Sequence, residues 1–152
     1  MITYMKFQKL LSILCVTCLG LVSGLFAGEG WMTDFEAAQA KAKAENKPLL
    51  IDFTGSDWCG WCIRLDEEVF SQPAFSQYAA DELILVEIDF PRRKSQPAEL
   101  KEQNQALMQK YGIRGYPTIL VLSPEGELIE KTGYRRGGAE AYVAHIKEIL
   151  AK

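Results

Sequence analysis

The sequence predicts an α/β domain: a mixed four-stranded sheet with helices on both faces. Three observations carry this. Short apolar runs alternate with segments of helical periodicity in the order α-β-α-β-α-β-β-α. Strands separated by helices pair in parallel through right-handed crossovers, and such strands need helical cover on each face. The turn Pro124-Glu125-Gly126 separates the last two strands, which is too short for a crossover and makes them an antiparallel hairpin.

Each element follows in chain order. Asp34 is placed to cap a helix running to about residue 46, with Phe35, Ala38 and Ala42 at helical spacing and Asn46-Lys47-Pro48 as its stop. Residues 49–53 form a short apolar run between Pro48 and Gly55, the pattern of a buried strand. A loop over 54–57 leads into a helix that starts near Cys59 and carries Ile63, Leu65, Val69 and Phe70. Ser71-Gln72-Pro73 breaks it, and a short helix follows over 74–80. Residues 83–90 form the next strand. The loop 91–97 holds Arg92-Arg93-Lys94, which reads as a hydrated turn in preference to a docking patch. Residues 98–111 form a helix ended by Gly112. Strands 118–122 and 128–132 make the hairpin. An amphipathic helix over 139–150 closes the chain, with Tyr142, Val143, Ile146 and Leu150 on one side.

Residues 1–27 stand apart. Lys6 and Lys9 are the only charges before Glu29, and an uncharged apolar run continues from Leu10 to Gly28. A basic start, an apolar stretch and the small residue Ala27 make a secretory signal peptide. The alternative is a membrane anchor, with residues 10–27 as tether, because the run approaches the ~20 residues of a span. Both readings keep the lysines inside and put a single domain, residues 28–152, in the periplasm or another extracytoplasmic space. Two of the 17 basic residues and none of the 20 acidic ones precede residue 28, so that domain has five more acids than bases. An acidic domain without a long basic stripe is excluded as a nucleic-acid binder. Cys15 and Cys18 fall in the apolar run and read as small apolar residues. Cys59 and Cys62 remain.

Trp58-Cys59-Gly60-Trp61-Cys62 follows a strand and opens a helix. A thiolate at a helix N-terminus meets unsatisfied N–H groups and the positive end of the dipole, which lowers its pKa. Cys59 is therefore expected to be exposed and nucleophilic. Cys62, one turn deeper, is expected to be buried and to resolve a mixed disulfide on Cys59. Three other readings compete: a structural staple, half a zinc site, and a relic without function. So short a loop gives a staple only roughly 2 kcal/mol. A zinc site needs about four ligands, and His145 is the only histidine. Redox chemistry is preferred.

From about Trp31 to Lys152 the chain resembles the thioredoxin superfamily. Ile51-Asp52-Phe53 followed by Trp58–Cys62 resembles its active-site strand and turn, and residues 111–118, Tyr-Gly-Ile-Arg-Gly-Tyr-Pro-Thr, resemble its second signature. The approach Phe-Thr-Gly-Ser-Asp-Trp-Cys is closest to the exported thioredoxin-like group with a WCGWC active site. The resemblance implies a cis bond before Pro117, which without an N–H would shape a groove where the backbone beside it pairs with substrate. The other reading of Pro117 is a simple strand start. By the same resemblance Asp52 is a buried carboxylate that takes the proton of Cys62; its other reading is a strand-end residue reaching water. Trp58, Trp61, Tyr116 and Thr118 would contact substrate, with packing against the helix start as the alternative for the tryptophans.

The sequence departs from the family in four places. One more residue separates Phe53 from Cys59 than in ordinary thioredoxins. The lysine that neighbours the buried aspartate falls at Leu85, the first strand has no counterpart, and the segment 91–110 is longer. The expectation is a monomeric thiol–disulfide oxidoreductase, reductase before oxidase or isomerase. It acts on thiols and disulfides of exported proteins with a membrane thiol as electron donor and no metal or organic cofactor. The rival is a thioredoxin-like binding or chaperone module without redox turnover.

Overall fold

The computed structural model describes residues 30–152. The signal, anchor and tether readings of residues 1–27 lie outside the described residues. Among the described residues no helix is long and apolar enough to cross a membrane.

Among the described residues five strands, one more than predicted, form a single sheet in the order β1-β3-β2-β4-β5. They are β1 Trp31–Met32, β2 Leu49–Thr54, β3 Ile84–Asp89, β4 Thr118–Leu122 and β5 Leu128–Thr132. β1 is the missed one. Two residues offer no alternation to read, and the strand exists through its parallel pairing of Trp31 with Leu85 and Met32 with Val86. β2 and β3 are parallel, while β2–β4 and β4–β5 are antiparallel.

The helices are α1 Phe35–Glu45, α2 Gly60–Leu65, α3 Pro73–Glu82, α4 Ala98–Lys110 and α5 Gly138–Leu150. α2 runs on into a π-wound turn, Asp66–Phe70. Local chemistry sets the ends. Asp34 Oδ1 accepts a hydrogen bond from the Ala37 N–H at 2.9 Å. Asn46 closes α1 in the left-handed region, φ 52°, which asparagine tolerates. Pro73 sits in the first turn of α3, where its missing N–H costs nothing.

Strand alternation divides the core in two. Leu49, Ile51 and Phe53 of β2 share one face with Val86, Ile88 and Leu120, packed on Phe35, Ala38 and Ala42 of α1 and Leu107 of α4. Leu50, Leu85, Ile119 and Val121 point the other way, onto Leu65, Phe70, Phe75, Tyr142 and Ile146. The rings of Phe70, Phe75 and Tyr142 lie 4.9–6.5 Å apart there, and truncating one such buried ring costs about 3–5 kcal/mol.

The same alternation puts Asp52 after Leu50 and Glu87 after Leu85 on this second face. The core thus gives way to carboxyls at one end of the sheet. At that end β2, β3 and β5 finish and β4 begins, so the loops 55–59, 90–97, 112–117 and 133–137 gather together.

Candidate active site

The chain turns sharply after β2. The N–H groups of Trp58 and Cys59 both donate to the Gly55 carbonyl, at 3.1 and 2.9 Å. Cys59 is the N-cap of α2 in an extended conformation, and its Sγ accepts from the Cys62 N–H at 3.2 Å. Cys59 and Cys62 form a disulfide, with Cα atoms 5.2 Å apart. Cys59 is 7% exposed and Cys62 3%. The expectation of an exposed Cys59 is therefore corrected for this oxidised state. Its sulfur is bonded to Cys62 and engaged by the Cys62 N–H, which turns it against its own helix.

The second signature adjoins this turn. The Tyr116–Pro117 peptide bond is cis. Tyr116 meets the Trp58 ring edge-on at 5.8 Å and its hydroxyl donates to Met108 Sδ at 3.3 Å. Thr118 Oγ1 donates to the Gly115 carbonyl at 2.7 Å. Trp58 is half-buried: its Nε1 donates to the Phe90 carbonyl at 2.8 Å, and Arg92 lies over its ring. Trp61 instead is 52% exposed, with Tyr134 against it at 5.2 Å. Ile63, expected among the apolar helix residues, is 39% exposed and borders the cleft beside Cys62.

Beneath Cys62 lies an acidic cleft of about 540 Å³, lined by Asp52, Thr54, Cys62, Asp66 and Glu87 among others. Asp52 is buried and its Oδ1 has no hydrogen-bond partner. Burial, and then the charges of Glu87, Asp66 and Asp89, hold its carboxyl well above the usual carboxylate range. Glu87 is pushed up to about 7, by burial first and then by Asp89. The expected neighbour of Asp52, Leu85, is corrected by the register: Leu85 stands opposite Leu50, and Glu87 opposite Asp52. A hydrophobic residue would leave Asp52 lone; a second carboxyl makes two acids that resist ionising together. A carboxyl with a raised pKa near a sulfur can give up its proton, and as carboxylate take one back, as thiol and thiolate interchange.

Sequence reasoning missed one part of the site. The Asp57 carboxylate accepts from the backbone N–H groups of Arg92, Arg93 and Lys94, at 3.0, 2.7 and 3.1 Å. These bonds, that of Arg92 foremost, lower its pKa. Ser56 N–H and Oγ donate to the Asp89 carboxylate at 2.9 and 2.6 Å. The side chains of Arg92, Arg93 and Lys94 are exposed, yet their backbone is fastened to the active-site loop, so it is no free hydrated turn. The pairing spans about 35 residues, and only the Ser-Asp pair ahead of Trp58 hinted at it, as residues that favour local backbone capture.

Comparison with known proteins agrees with this geometry. Residues 35–148 match the thioredoxin-like domain family. The disulfide bond reductase DsbH of Chlamydia pneumoniae is 36% identical over 120 residues, covering 79% of this chain and 72% of the relative. The thiol:disulfide interchange protein DsbD of Klebsiella pneumoniae is 32% identical over 116 residues, covering 74% of this chain but only 18% of that much longer protein. The solved structure of a DsbH oxidoreductase superposes with a TM-score of 0.75 at 35% identity, covering 78% of this chain and 82% of that one. The chain belongs to the thioredoxin-like family, and its Cys59–Cys62 pair is the redox disulfide of a thiol–disulfide oxidoreductase.

Proposed function

We propose that the protein is a disulfide reductase for exported proteins. The Cys59 thiolate attacks a substrate disulfide; a mixed disulfide forms and one substrate thiolate leaves to take a proton. Asp52 passes its proton to that departing thiolate and, now a carboxylate, accepts the proton of Cys62, whose thiolate attacks Cys59 Sγ. The second substrate thiolate leaves, and the Cys59–Cys62 disulfide is the product form. Two electrons have passed to the substrate, and an external dithiol, a membrane thiol carrier, restores them. Pro117 shapes the groove that holds the substrate backbone, with Trp61, Tyr116 and Thr118 beside it. Trp58 serves by packing. The protein works as a monomer in the periplasm, delivered or tethered by residues 1–27.

The observation that carries this reading is a disulfide at a helix N-cap sharing a cleft with a buried, unpartnered carboxyl. Its direction rests on two supports. The Chlamydia relative bears the name of a disulfide bond reductase. Gly60 and Trp61, between the cysteines, add no charge or imidazole that would favour the thiolate as strong oxidants require.

Insulin reduction with dithiothreitol as donor tests the activity. Wild type is expected to accelerate it, Cys59→Ser to fall to background, and Cys62→Ala to accumulate mixed disulfides. If wild type gives no acceleration and Cys62→Ala traps nothing, the domain is a binding module. The potential tests direction: a value below about −200 mV fits a reductase, and one near −120 mV makes the protein an oxidant.

A further inference from the structure

All six arginines of this chain surround one end of the molecule, the end that holds the disulfide. Arg92 and Arg93 follow β3, Arg114 precedes the cis bond, Arg135 and Arg136 follow β5, and Arg64 is on α2. All six are exposed. The lysines are spread more widely: Lys41, Lys43 and Lys147 lie along α1 and α5, and Lys94 alone shares the Arg92-Arg93 loop. The opposite end has no arginine; it carries exposed Glu45, Asp81, Glu82, Glu125 and Glu127 at the ends of α1 and α3 and in the β4–β5 turn, with Lys41 and Lys47 paired to Glu45.

The collar is held in place. Asp57 captures three successive N–H groups of the Arg92–Lys94 backbone, and the Arg92 guanidinium lies 3.6 Å from the centre of the Trp58 ring. Arg64 lies over Trp61 at 5.5 Å. Tyr134, immediately before Arg135, packs on Trp61 with ring centres 5.2 Å apart. The carboxylates at this end are largely engaged: Glu68 by Arg64 and Tyr134, Asp57 by the loop backbone, Asp89 by Ser56, Asp66 by Ser71. Glu67 and Glu140 remain at the surface, and Asp52 and Glu87, with raised pKa values, lie in the cleft beneath Cys62. Among the described residues, Arg64 is the one arginine in an ion pair.

The geometry points to a docking surface for an acidic polypeptide segment that carries the disulfide to be reduced. The inference rests on the reductase reading above and names the chemistry of its substrate. Inside the collar Trp61 and Ile63 are exposed apolar groups next to the disulfide. An apolar centre with a charged rim is the anatomy of a protein interface and not of a site for a free anion. Arginine, with its planar fork, suits carboxylates in pairs. In a net acidic protein, unpaired exposed guanidinium groups gathered at one end also orient an approaching acidic partner toward Cys59.

The test uses three peptides with the same intramolecular disulfide, flanked by Asp/Glu, Ser or Lys, and the neutral 2-hydroxyethyl disulfide as control. Rates are read with dithiothreitol as reductant at low and high sodium chloride. The expected result is about tenfold higher kcat/KM for the acidic peptide than for the serine one at low salt, in the range of electrostatic steering, and the reverse order for the lysine one. The preference should shrink at high salt and vanish in Arg93→Glu/Arg136→Glu, with turnover of the neutral disulfide kept. A collar that acted only by stabilising the Cys59 thiolate would raise all four rates alike, which overturns the proposal. Equal rates for the three peptides with normal turnover of the control overturn the collar alone. Absence of turnover on every substrate overturns both the collar and the reductase reading. Equal peptide rates together with arginine-dependent sedimentation on phosphatidylglycerol vesicles would assign the surface to a membrane and overturn the polypeptide partner.

Discussion

Asp52 combines three properties rarely found together in one side chain: burial, an unpartnered oxygen and a shared cleft with a reactive sulfur. Burying an ionised carboxylate without partners is expensive, so the group keeps its proton instead. A neutral carboxyl beneath Cys62 is a proton donor at rest. Once it has given that proton to the departing substrate thiolate, its carboxylate can accept the proton of the resolving thiol. Asp52→Asn keeps the shape and removes the titration. Resolution of the mixed disulfide is expected to slow by about 10²-fold, the lower range for a lost general base, and kcat should lose its dependence on this ionisation. The variant is expected to be at least as stable as wild type at alkaline pH, because it has no charge to bury. Rapid-quench accumulation of mixed disulfide and a pH–rate profile measure this. An unchanged profile would leave Asp52 without a role in proton transfer.

At the scale of elements, the β2–α2 loop is a packed object and not a flexible link. Gly55 accepts two turn hydrogen bonds on its carbonyl, and a Cβ added there would sit 2.5 Å from the Trp58 ring. Gly55→Ala must push Trp58 away, which strains its bond to the Phe90 carbonyl and its stack with Arg92. A loss of about 1–3 kcal/mol is expected, as for overpacking, with a shift of indole emission; denaturation midpoints and fluorescence check both. An unchanged midpoint would mean that Trp58 is free to move. None of this was legible from spacing, although glycine ahead of a motif tryptophan was visible. What sequence reads well is local. The hairpin strands 118–122 and 128–132 fall where Pro124-Glu125-Gly126 predicts them, and the α1 end follows from Asn46 and Pro48. What it reads badly is register and partnership across the chain. β1 owes its existence to β3, Glu87 faces Asp52 through a pairing that no periodicity specifies, and Asp57 finds its partners about 35 residues away. The exposure of Cys59 depends on the redox state, which a sequence does not carry.

Over the whole molecule these local ionisations set how stability varies with pH. Glu87 has its pKa raised from 4.5 to about 7 by burial and by Asp89. Between those values the folded protein holds a proton that the unfolded chain has released, so folding binds protons and stability falls as pH rises. The contribution of Glu87 is full below pH 4.5 and gone once pH has passed about 7. Other groups act in the opposite sense. Asp57 and Glu130 have lowered values, Asp57 through its backbone bonds and Glu130 through Lys152, and these stabilise the fold above the ordinary carboxylate range and lose that effect on acidification. His145 is lowered, by burial first, and destabilises the fold as pH drops below its ordinary value. The total is thus a dome, and only a difference between two proteins isolates Glu87. Glu87→Gln removes its titration, leaves those of Asp57, Glu130 and His145 in place, and relieves its push on Asp52, which acts in the same direction. Relative to wild type the variant is expected to gain stability steadily from pH 4.5 to about 7 and to hold a constant advantage above, on the order of 1–3 kcal/mol. Melting temperatures of both proteins across that range, in the oxidised state, give the difference curve. A flat curve would mean that Glu87 keeps its ordinary ionisation and that Asp52 stands without a second acid beside it.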